Sequence, residues 1–405
     1  MSNAKNQARD GWGASAIAGV ARGAVRSVSS WAQGAGERAR ERDPSGPRTA
    51  LLWTVLALIA FGFMIQMSHA STTLPREAFI EEMREQLIFR LGGVALLFLG
   101  MWLGPRRVEP LIPALTVFSL AGLILVFVPG FEQAVNGSHR WIRFFGRGPS
   151  IQPSEIARVV FVLWVARRCV LLDDRVENLR TGFIPTLAFG LLATALILKE
   201  PDLGGALLFL LCFGTTLFVG GARMQHVALV IAACILLILI ALNSFGHVAE
   251  RFAVWMGDSS NDQVTRAAEA MASGDWFGVG FGQGGFRNAG LQYMQTDYAL
   301  ALVGEELGLY GIWLVVGLFG AFIWNAQAMV LGIKDRFAAL CAFGLSISVA
   351  FQAMVHLQVV TGLAPPKGMA LPFLSDGGSA LLAACLAVGL ALGAARAHSL
   401  SPPTH

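Results

Sequence analysis

A basic and aromatic cluster lies in residues 138–148, SHRWIRFFGRG, where three arginines and a histidine surround a tryptophan and two phenylalanines. The planar guanidinium group binds phosphate through two parallel N–H groups, so Arg140 and Arg143 are candidates to bind an anionic lipid headgroup. Trp141 suits the membrane–water interface, and Lys367 adds a cation near the last apolar segment. Unspecific contact with lipid headgroups is the alternative interpretation of this cluster.

Acidic residues stand at the ends of two apolar segments. Asp202 follows Pro201 at a tight turn, where it could cap the next helix or contact a substrate or a metal ion. Thr296 and Asp297 open another apolar segment, and N-capping is the simpler role for them. Substrate binding is the second role that we consider for Asp202 and Asp297.

Two adjacent glutamates, Glu305 and Glu306, lie roughly two helical turns inside an apolar segment. An ionised carboxylate is costly at such a depth and is usually functional or paired. We expect the two side chains to form a buried polar network that holds a cavity in shape. Direct participation in chemistry is the alternative.

The composition indicates which elements position these residues. The chain has 405 residues, of which 55% are hydrophobic and only 14% are charged, and its mean hydropathy is +0.60. These values exclude a water-soluble domain of this size and are typical of a polytopic membrane protein. About ten apolar segments are long enough to cross a bilayer, so the sequence predicts an all-α fold. They lie near 50–68, 87–103, 110–129, 155–171, 182–198, 203–221, 225–245, 297–330, 337–361 and 378–396.

Basic residues indicate the orientation of these segments. Cytoplasmic loops carry an excess of lysine and arginine, and in this chain the N-terminal tail and every second short loop are basic. Both termini are therefore predicted to be cytoplasmic, and the basic and aromatic cluster extracytoplasmic. The longest loop, 246–296, lies on the same outer side between the seventh and eighth segments. Within it we expect a short helix over 262–272 and a flexible turn over the Gly-rich stretch 278–285.

Three regions follow from these patterns. Residues 1–49 are rich in glycine, alanine, serine and arginine, and are predicted to be a disordered basic cytoplasmic tail. Residues 50–397 form the transmembrane domain. Residues 398–405 form a short cytoplasmic tail at the other end.

Four longer motifs follow one another along the chain. They are NGSHRWIRFFGRGPSIQPSEIAR, KEPDLGGALL, QTDYALALVGEELGLYG and GLAPPKGMALPFLSDGGSALL. Each motif is weak alone, but in this order they resemble the motifs of the SEDS family (shape, elongation, division and sporulation proteins). The resemblance covers residues 50–397 and includes the ten-segment layout. Pro-Lys-Gly before Leu-Pro-Phe is more similar to the division proteins of the family than to its elongation proteins.

The sequence departs from the family pattern in three places. Asp376 stands where a tyrosine is usual, and Gln295 replaces the usual histidine before Thr-Asp. The 256–263 stretch lacks the usual Asp-Pro and is shorter than usual. Two acids in this stretch, Asp258 and Asp262, therefore compete for the position of the acid in the family's Trp-x-Asp pattern.

The resemblance implies a peptidoglycan glycosyltransferase that polymerises lipid II, a disaccharide-pentapeptide carried on undecaprenyl pyrophosphate, with inversion at the anomeric carbon. This reaction needs a general base near the acceptor hydroxyl, and cations where negative charge builds on the departing pyrophosphate. Asp258 is the predicted catalytic base and Asp262 the alternative, with helix N-capping as the structural role open to either. Substrate binding is implied for Arg140, Trp141, Arg143, Lys367, Ser375, Ser379, Asp202 and Asp297.

The resemblance also implies partners and a location. Lipid II, a class B penicillin-binding transpeptidase, other division proteins and membrane lipids are the expected partners, and nucleic acid is not. Small residues in the eighth segment, among them Gly308 and Gly311, predict a face for the transpeptidase's transmembrane helix, with internal packing as the competing role. The protein would be a multi-pass protein of the cytoplasmic (inner) membrane. No cofactor is assigned. Whether the protein binds a divalent cation such as Mg²⁺ or Mn²⁺ stays open.

A lipid II flippase is the rival function. Glu305, Glu306 and the Gly- and Pro-rich stretch 362–378 would also suit a transporter. A flippase would need charges distributed through the depth of the bilayer, whereas most candidate charges here lie on one outer face. An elongation-type polymerase and a non-catalytic division scaffold are the remaining alternatives.

Overall fold

The computed structural model describes residues 43–128, 132–135, 138–142, 150–257, 262–286 and 294–396. Within these ranges the regular structure is helical apart from an antiparallel pair of strands, β1 (Glu132–Val135) and β2 (Ser138–Ile142). The helices are α1 (Ser45–Thr73), α2 (Arg76–Val108), α3 (Ile112–Leu125), α4 (Pro153–Leu172), α5 (Ile184–Lys199), α6 (Leu203–Val219), α7 (Met224–Ser244), α8 (Gly246–Met256), α9 (Asp262–Ser273), α10 (Ala299–Leu331), α11 (Arg336–Val360) and α12 (Gly378–Arg396). Most of the predicted N-terminal tail and the predicted C-terminal tail lie outside the described residues.

The predicted all-α membrane fold is confirmed. Each of the ten apolar segments coincides with a helix, from α1 through α7 and then α10 to α12. In the part of the chain that the structure describes, seven helical stretches are long and apolar enough to cross a membrane. One of them, Arg76–Leu125, contains both α2 and α3. The number of ten spans remains a prediction.

The centre of the bundle is α12, which packs closely against α2. A β-carbon on Gly389 or Gly393 would overlap backbone atoms of Leu97 or Gly104, so only glycine allows this approach. Small residues at such contacts let helices pack tightly in lipid, where no hydrophobic effect drives them together. The periphery includes α7, which has few buried side chains.

Ion pairs join the loops at one end of the bundle. The pairs are Arg106 with Asp335, Arg336 with Asp173, and Arg223 with Glu177. All of these residues belong to loops that the charge pattern placed on the cytoplasmic side, so the structure brings those loops to one end. Which side of a membrane this end faces remains a prediction.

The Gly-rich stretch after α9 is packed rather than a flexible turn, as far as residue 286. It fits into a break in α10 at Gly308, where φ is +64° and ψ is −158°. The amides that this break frees, on Leu309 and Tyr310, donate to the carbonyls of Asp275 and Trp276. In return, the carbonyls of Glu305 and Glu306 accept hydrogen bonds from Val279 and Gly280, both 3.0 Å long. These exchanged bonds satisfy backbone groups that lipid could not.

The side chains of Glu305 and Glu306 hold the same stretch. Glu305 Oε1 accepts a hydrogen bond from the amide of Phe286 (2.9 Å), and Glu306 Oε1 accepts one from the hydroxyl of Ser68 (2.8 Å). The amide of Gly282 donates to both Ser68 Oγ and Glu306 Oε1. The two glutamates therefore connect α10, α1 and the loop between α9 and α10 through hydrogen bonds.

Gly308 serves internal packing, which was the alternative to a docking face for the transpeptidase helix. Residues 276–278 already occupy the side of α10 at Gly308. Gly308→Ala is expected to lower the free energy of unfolding by ~1–3 kcal/mol, since its backbone conformation is almost exclusive to glycine and a β-carbon would overlap the loop. Thermal unfolding of the purified protein in detergent measures this. Gly317→Ala is the control, because it lies in the same helix with open space around it. Equal melting temperatures for the two variants would contradict the packing role.

Candidate active site

A cavity of about 820 Å³, lined in part by charged side chains, opens at the end of the bundle opposite the ion pairs. Side chains reach it from β2, the start of α4, the turn between α5 and α6, α8, the 294–298 segment and the loop between α11 and α12. β2 is placed by its pairing with β1, and by two backbone hydrogen bonds between Ile142 and Ile151, 2.8 and 3.0 Å long. Arg140 and Trp141 therefore lie at the wall of the cavity.

Asp202 both caps a helix and pairs with the cations of the cavity. Its Oδ1 accepts a hydrogen bond from the amide of Gly205 (2.8 Å) at the start of α6 and lies 3.6 Å from Nη1 of Arg140. Burial alone would raise the pKa of Asp202, but the charges of Arg140 and Lys367 and the Gly205 amide outweigh it and lower the pKa. Asp202 is therefore an anion that orients two cations.

Lys367 lies over the first turn of α6. A β-carbon on Gly204 would overlap Cε and Nζ of Lys367, so the absence of a side chain there makes room for the ammonium group. Burial, partly offset by Asp202, lowers the pKa of Lys367 to about 8. At neutral pH the side chain is still mostly charged, and it loses that charge as the pH rises through about 8.

Asp297 faces the cavity and does not cap α10. The N-cap of that helix is Tyr298, which makes no side-chain capping hydrogen bond. Burial raises the pKa of Asp297, and a hydrogen bond from Thr296 together with the charges of Arg140 and Arg251 opposes the rise. N-capping was the simpler sequence-based role for Asp297, and it was wrong because the helix begins two residues later, at Ala299.

Ser375 holds the loop between α11 and α12 in place, and Ser379 joins the start of α12 to the segment before α4. The hydroxyl of Ser375 donates to the carbonyl of Thr296 (2.6 Å) and accepts from the amide of Leu371 (2.8 Å). The hydroxyl of Ser379 donates to the carbonyl of Ser150 (2.9 Å) and accepts from the amide of Gln152 (3.3 Å). Both side chains are buried, so the structure gives them a scaffolding role, and the implied substrate contact stays a prediction.

A buried ion pair that the sequence analysis missed supports the same loop. Arg158 and Glu155 are one helical turn apart in α4, with 2.5 Å between Arg158 Nη2 and Glu155 Oε2. The same nitrogen donates to Oε1 of Gln352 (2.6 Å), whose amide nitrogen donates to the carbonyl of Ala370 (3.1 Å). Ionisable residues inside an apolar segment are usually functional or paired, and that signal was available in the sequence.

The predicted base and one predicted arginine lie outside the described residues. These are Asp258 and Arg143. Asp262 is the first residue of α9, and its side chain is not described either. The neighbouring elements are informative, because Arg251 of α8 and Gln263 of α9 both line the cavity. The 258–261 segment therefore joins two helices that contribute side chains to it.

Among the described residues, no three His, Cys, Asp or Glu side chains are arranged to hold a metal ion.

The fold and the cavity define a class: a polytopic α-helical membrane protein with cations and carboxylates gathered at one end. The family model described as "Cell cycle protein", for FtsW, RodA and SpoVE, matches residues 49–400. The chain belongs to this family, and the predicted SEDS resemblance is confirmed.

Curated relatives and solved structures agree with this membership. The chain is 31% identical over 368 residues to the probable peptidoglycan glycosyltransferase FtsW of Trichlorobacter lovleyi, covering 87% of this chain and 94% of that protein. It is 32% identical over 360 residues to the FtsW of Thiomonas intermedia, with 84% and 87% covered. A chain of a peptidoglycan synthase complex that coordinates polymerization and crosslinking matches with a TM-score of 0.69 and 26% identity, covering 87% and 98%. The rod shape determining protein RodA of Thermus thermophilus matches with a TM-score of 0.61 and 25% identity, covering 85% and 95%.

Proposed function

We propose that this chain is a peptidoglycan glycosyltransferase that polymerises lipid II on the outer face of the cytoplasmic membrane, in the synthesis of the septal wall during cell division. The observation that carries the proposal is the convergence of Arg140, Lys367 and Arg251 on one cavity of the bundle. The names of the curated relatives supply the reaction class and favour the division role over the elongation role.

The reaction requires two substrates held in position and positive charges near the departing pyrophosphate. A sugar hydroxyl of one lipid-linked substrate attacks the anomeric carbon of another, the bond from that carbon to pyrophosphate breaks, and the configuration inverts. Arg140 and Lys367 would bind the pyrophosphate and stabilise the negative charge that it gains on departure. Pyrophosphate is a good leaving group, so no strong general acid is needed.

The hydroxyl proton goes to a carboxylate, and we assign that role to Asp258 with Asp262 as the alternative. Support comes from the chain connectivity, since α8 and α9 flank this stretch and both line the cavity. Asp202 is less suited to be the base, because the charges of Arg140 and Lys367 lower its pKa and its Oδ1 already pairs with Arg140 and caps α6. A general base of this kind contributes typically 10²–10⁴-fold to the rate.

Transport is less well supported than polymerisation. The feature that suited a flippase, two carboxylates inside an apolar segment, has a structural explanation in the hydrogen bonds of Glu305 and Glu306 to the outer loop. The candidate cations gather at one end of the bundle and do not follow a path through it.

The proposed partners are lipid II, a class B penicillin-binding transpeptidase, other division proteins and membrane lipids. The similarity to a chain from a complex that couples polymerization to crosslinking supports the transpeptidase. Purified chain should convert lipid II into glycan strands, with the transpeptidase raising the rate. Failure to form strands with or without that partner would refute the proposed reaction.

Arg140→Lys is expected to weaken binding of lipid II about tenfold, because a lysine keeps the charge but loses the two parallel N–H groups that grip phosphate. Equilibrium binding of labelled lipid II in detergent measures the change. Arg84→Lys is the control, since Arg84 is exposed on α2 and does not line the cavity. Equal affinities for the parent and Arg140→Lys would leave the basic cluster as an unspecific headgroup contact.

A further inference from the structure

The segment 363–370, which carries Lys367, is held by hydrogen bonds on both sides of that residue. Before Lys367, two backbone amides of the segment donate to the carbonyl of Gln358, at 2.8 and 3.1 Å. After it, the carbonyls of Met369 and Ala370 each bond to a side chain of α11. The segment therefore follows the end of α11 closely, and that helix determines where the Lys367 backbone lies.

His356 of α11 binds the first of these carbonyls. Its Nδ1 lies 2.7 Å from the carbonyl oxygen of Met369, and the residue is only 1% exposed. A carbonyl oxygen only accepts hydrogen bonds, so Nδ1 carries the hydrogen and donates it. Nε2 has no hydrogen-bond partner among the described residues. The Met369 carbonyl is thus the polar contact that determines the orientation of the ring.

Gln352, one helical turn before His356, binds the next carbonyl. Its Nε2 donates to the carbonyl of Ala370 (3.1 Å), while its Oε1 accepts from Nη2 of Arg158 (2.6 Å). A guanidinium group has no acceptor, so Arg158 turns the amide oxygen toward α4 and leaves the amide nitrogen to the loop. Glu155 holds the guanidinium group in turn, at 2.5 Å. The buried ion pair of α4 therefore orients the amide that holds the loop.

Lys367 has little freedom in its placement. Its ammonium group lies over Gly204, where there is no room for an added β-carbon. The carboxyl group of Asp297 packs against Gly368, since a β-carbon there would lie 2.9 Å from Asp297 Oδ2. A displacement of about 1 Å in a group that acts on the reacting atoms can cost about 10²-fold in rate. A small shift of this segment would therefore be felt in the chemistry.

We propose that His356 and Gln352 are positioning residues, which hold the carbonyls of Met369 and Ala370 and so set the place of the Lys367 ammonium group in the cavity. Neither side chain lines the cavity, so neither is assigned contact with the substrate. The activity test of this proposal rests on the proposed glycosyltransferase function, and the labelling test does not.

The activity test compares His356→Leu with His356→Asn. Asparagine Nδ2 is separated from Cβ by the same number of bonds as histidine Nδ1, so it can donate to the Met369 carbonyl, whereas leucine cannot. His356→Leu is expected to lower kcat/KM for lipid II by about 10–10²-fold, and His356→Asn should retain most of the parental value. Gln352→Met keeps the length of the side chain without its donor, and should behave as His356→Leu does.

Ser348→Ala is the matched control. It removes a buried hydroxyl of α11 whose hydrogen bond goes to the carbonyl of Leu345 in the same helix (2.8 Å), and it should keep the parental rate. The Lys367→Met background then separates positioning from general damage. If His356→Leu acts through Lys367, it should cost little more in that background, because both changes remove the same interaction. Losses that multiply, or equal losses in His356→Leu and His356→Asn, would overturn the proposal.

The labelling test does not depend on activity. The purified protein is treated with an N-hydroxysuccinimide ester, and the rate at which Lys367 is acylated is followed by mass spectrometry. Lys367 should react several-fold faster in His356→Leu than in the wild type or in His356→Asn, because a loosened segment exposes the amine. Equal rates in the three proteins would overturn the positioning role. The expected labelling pattern in a protein whose wild type forms no glycan would support the positioning role and refute the glycosyltransferase function.

Discussion

Asp258→Asn is expected to reduce polymerisation of lipid II by about 10²–10⁴-fold, because an amide of the same shape cannot accept the hydroxyl proton. Folding and membrane insertion should be unchanged, since a polar residue in the loop between α8 and α9 contributes little to the packing of the bundle. The initial rate of strand formation measures the loss. The melting temperature in detergent reports on folding.

Asp262→Asn is the matched comparison, because the two acids belong to the same short stretch. We expect it to retain most of the parental rate, in keeping with a position at the start of α9. Loss of activity in Asp262→Asn with the parental rate in Asp258→Asn would assign the base to Asp262. Full activity in both variants would contradict general-base catalysis from this loop.

Lys367→Met is expected to lower kcat/KM by about 10²–10³-fold, since it removes one of the few cations that could stabilise the departing pyrophosphate. Gly204→Ala should lower kcat/KM by a smaller factor without changing any charged residue. Its β-carbon would occupy the space of the Lys367 ammonium group and force that group to move. Both rates are measured with the purified protein and lipid II.

A double-mutant cycle separates this effect from general damage to α6. If Gly204→Ala acts by displacing the ammonium group, it should cost little more in the Lys367→Met background, because the two changes remove the same interaction. Additive losses would mean that Gly204 has a separate structural role. Full activity of Gly204→Ala would contradict the assigned position of Lys367.

The helices were predictable because each apolar segment is long enough to cross a bilayer and little else can satisfy its backbone there. The grouping of loops was predictable from their arginines, and Arg106, Arg223 and Arg336 do lie together at one end. The convergence of Arg140, Asp202 and Lys367 followed from the same topology, since alternating helices return these distant residues to one end of the bundle.

The roles of individual hydroxyl and carboxyl groups were not predictable. Ser375 and Ser379 belong to a motif that implied substrate contact, yet both hydroxyls bond to backbone groups of segments distant in sequence. Asp297 was given a capping role that the start of α10 excludes. Such assignments depend on hydrogen bonds between segments that sequence spacing does not determine.

Glycines were the other source of error. The Gly-rich stretch 278–285 was predicted to be a flexible turn because its composition matches no ordered motif. In the structure it fills the break at Gly308, where a backbone exchange with α10 orders it. The sequence of the Gly-rich stretch does not show that it packs against α10. The glycine at position 308 does not show that the helix breaks there to receive the stretch.

The most direct measurement of the central claim places the purified chain and lipid II in the same lipid vesicles. Glycan strands and transbilayer movement of fluorescent lipid II are then recorded together. Wild-type protein should form strands, Lys367→Met should form few, and neither should speed the movement of lipid II across the bilayer. Rapid transbilayer movement without strand formation would contradict a glycosyltransferase and identify a transporter.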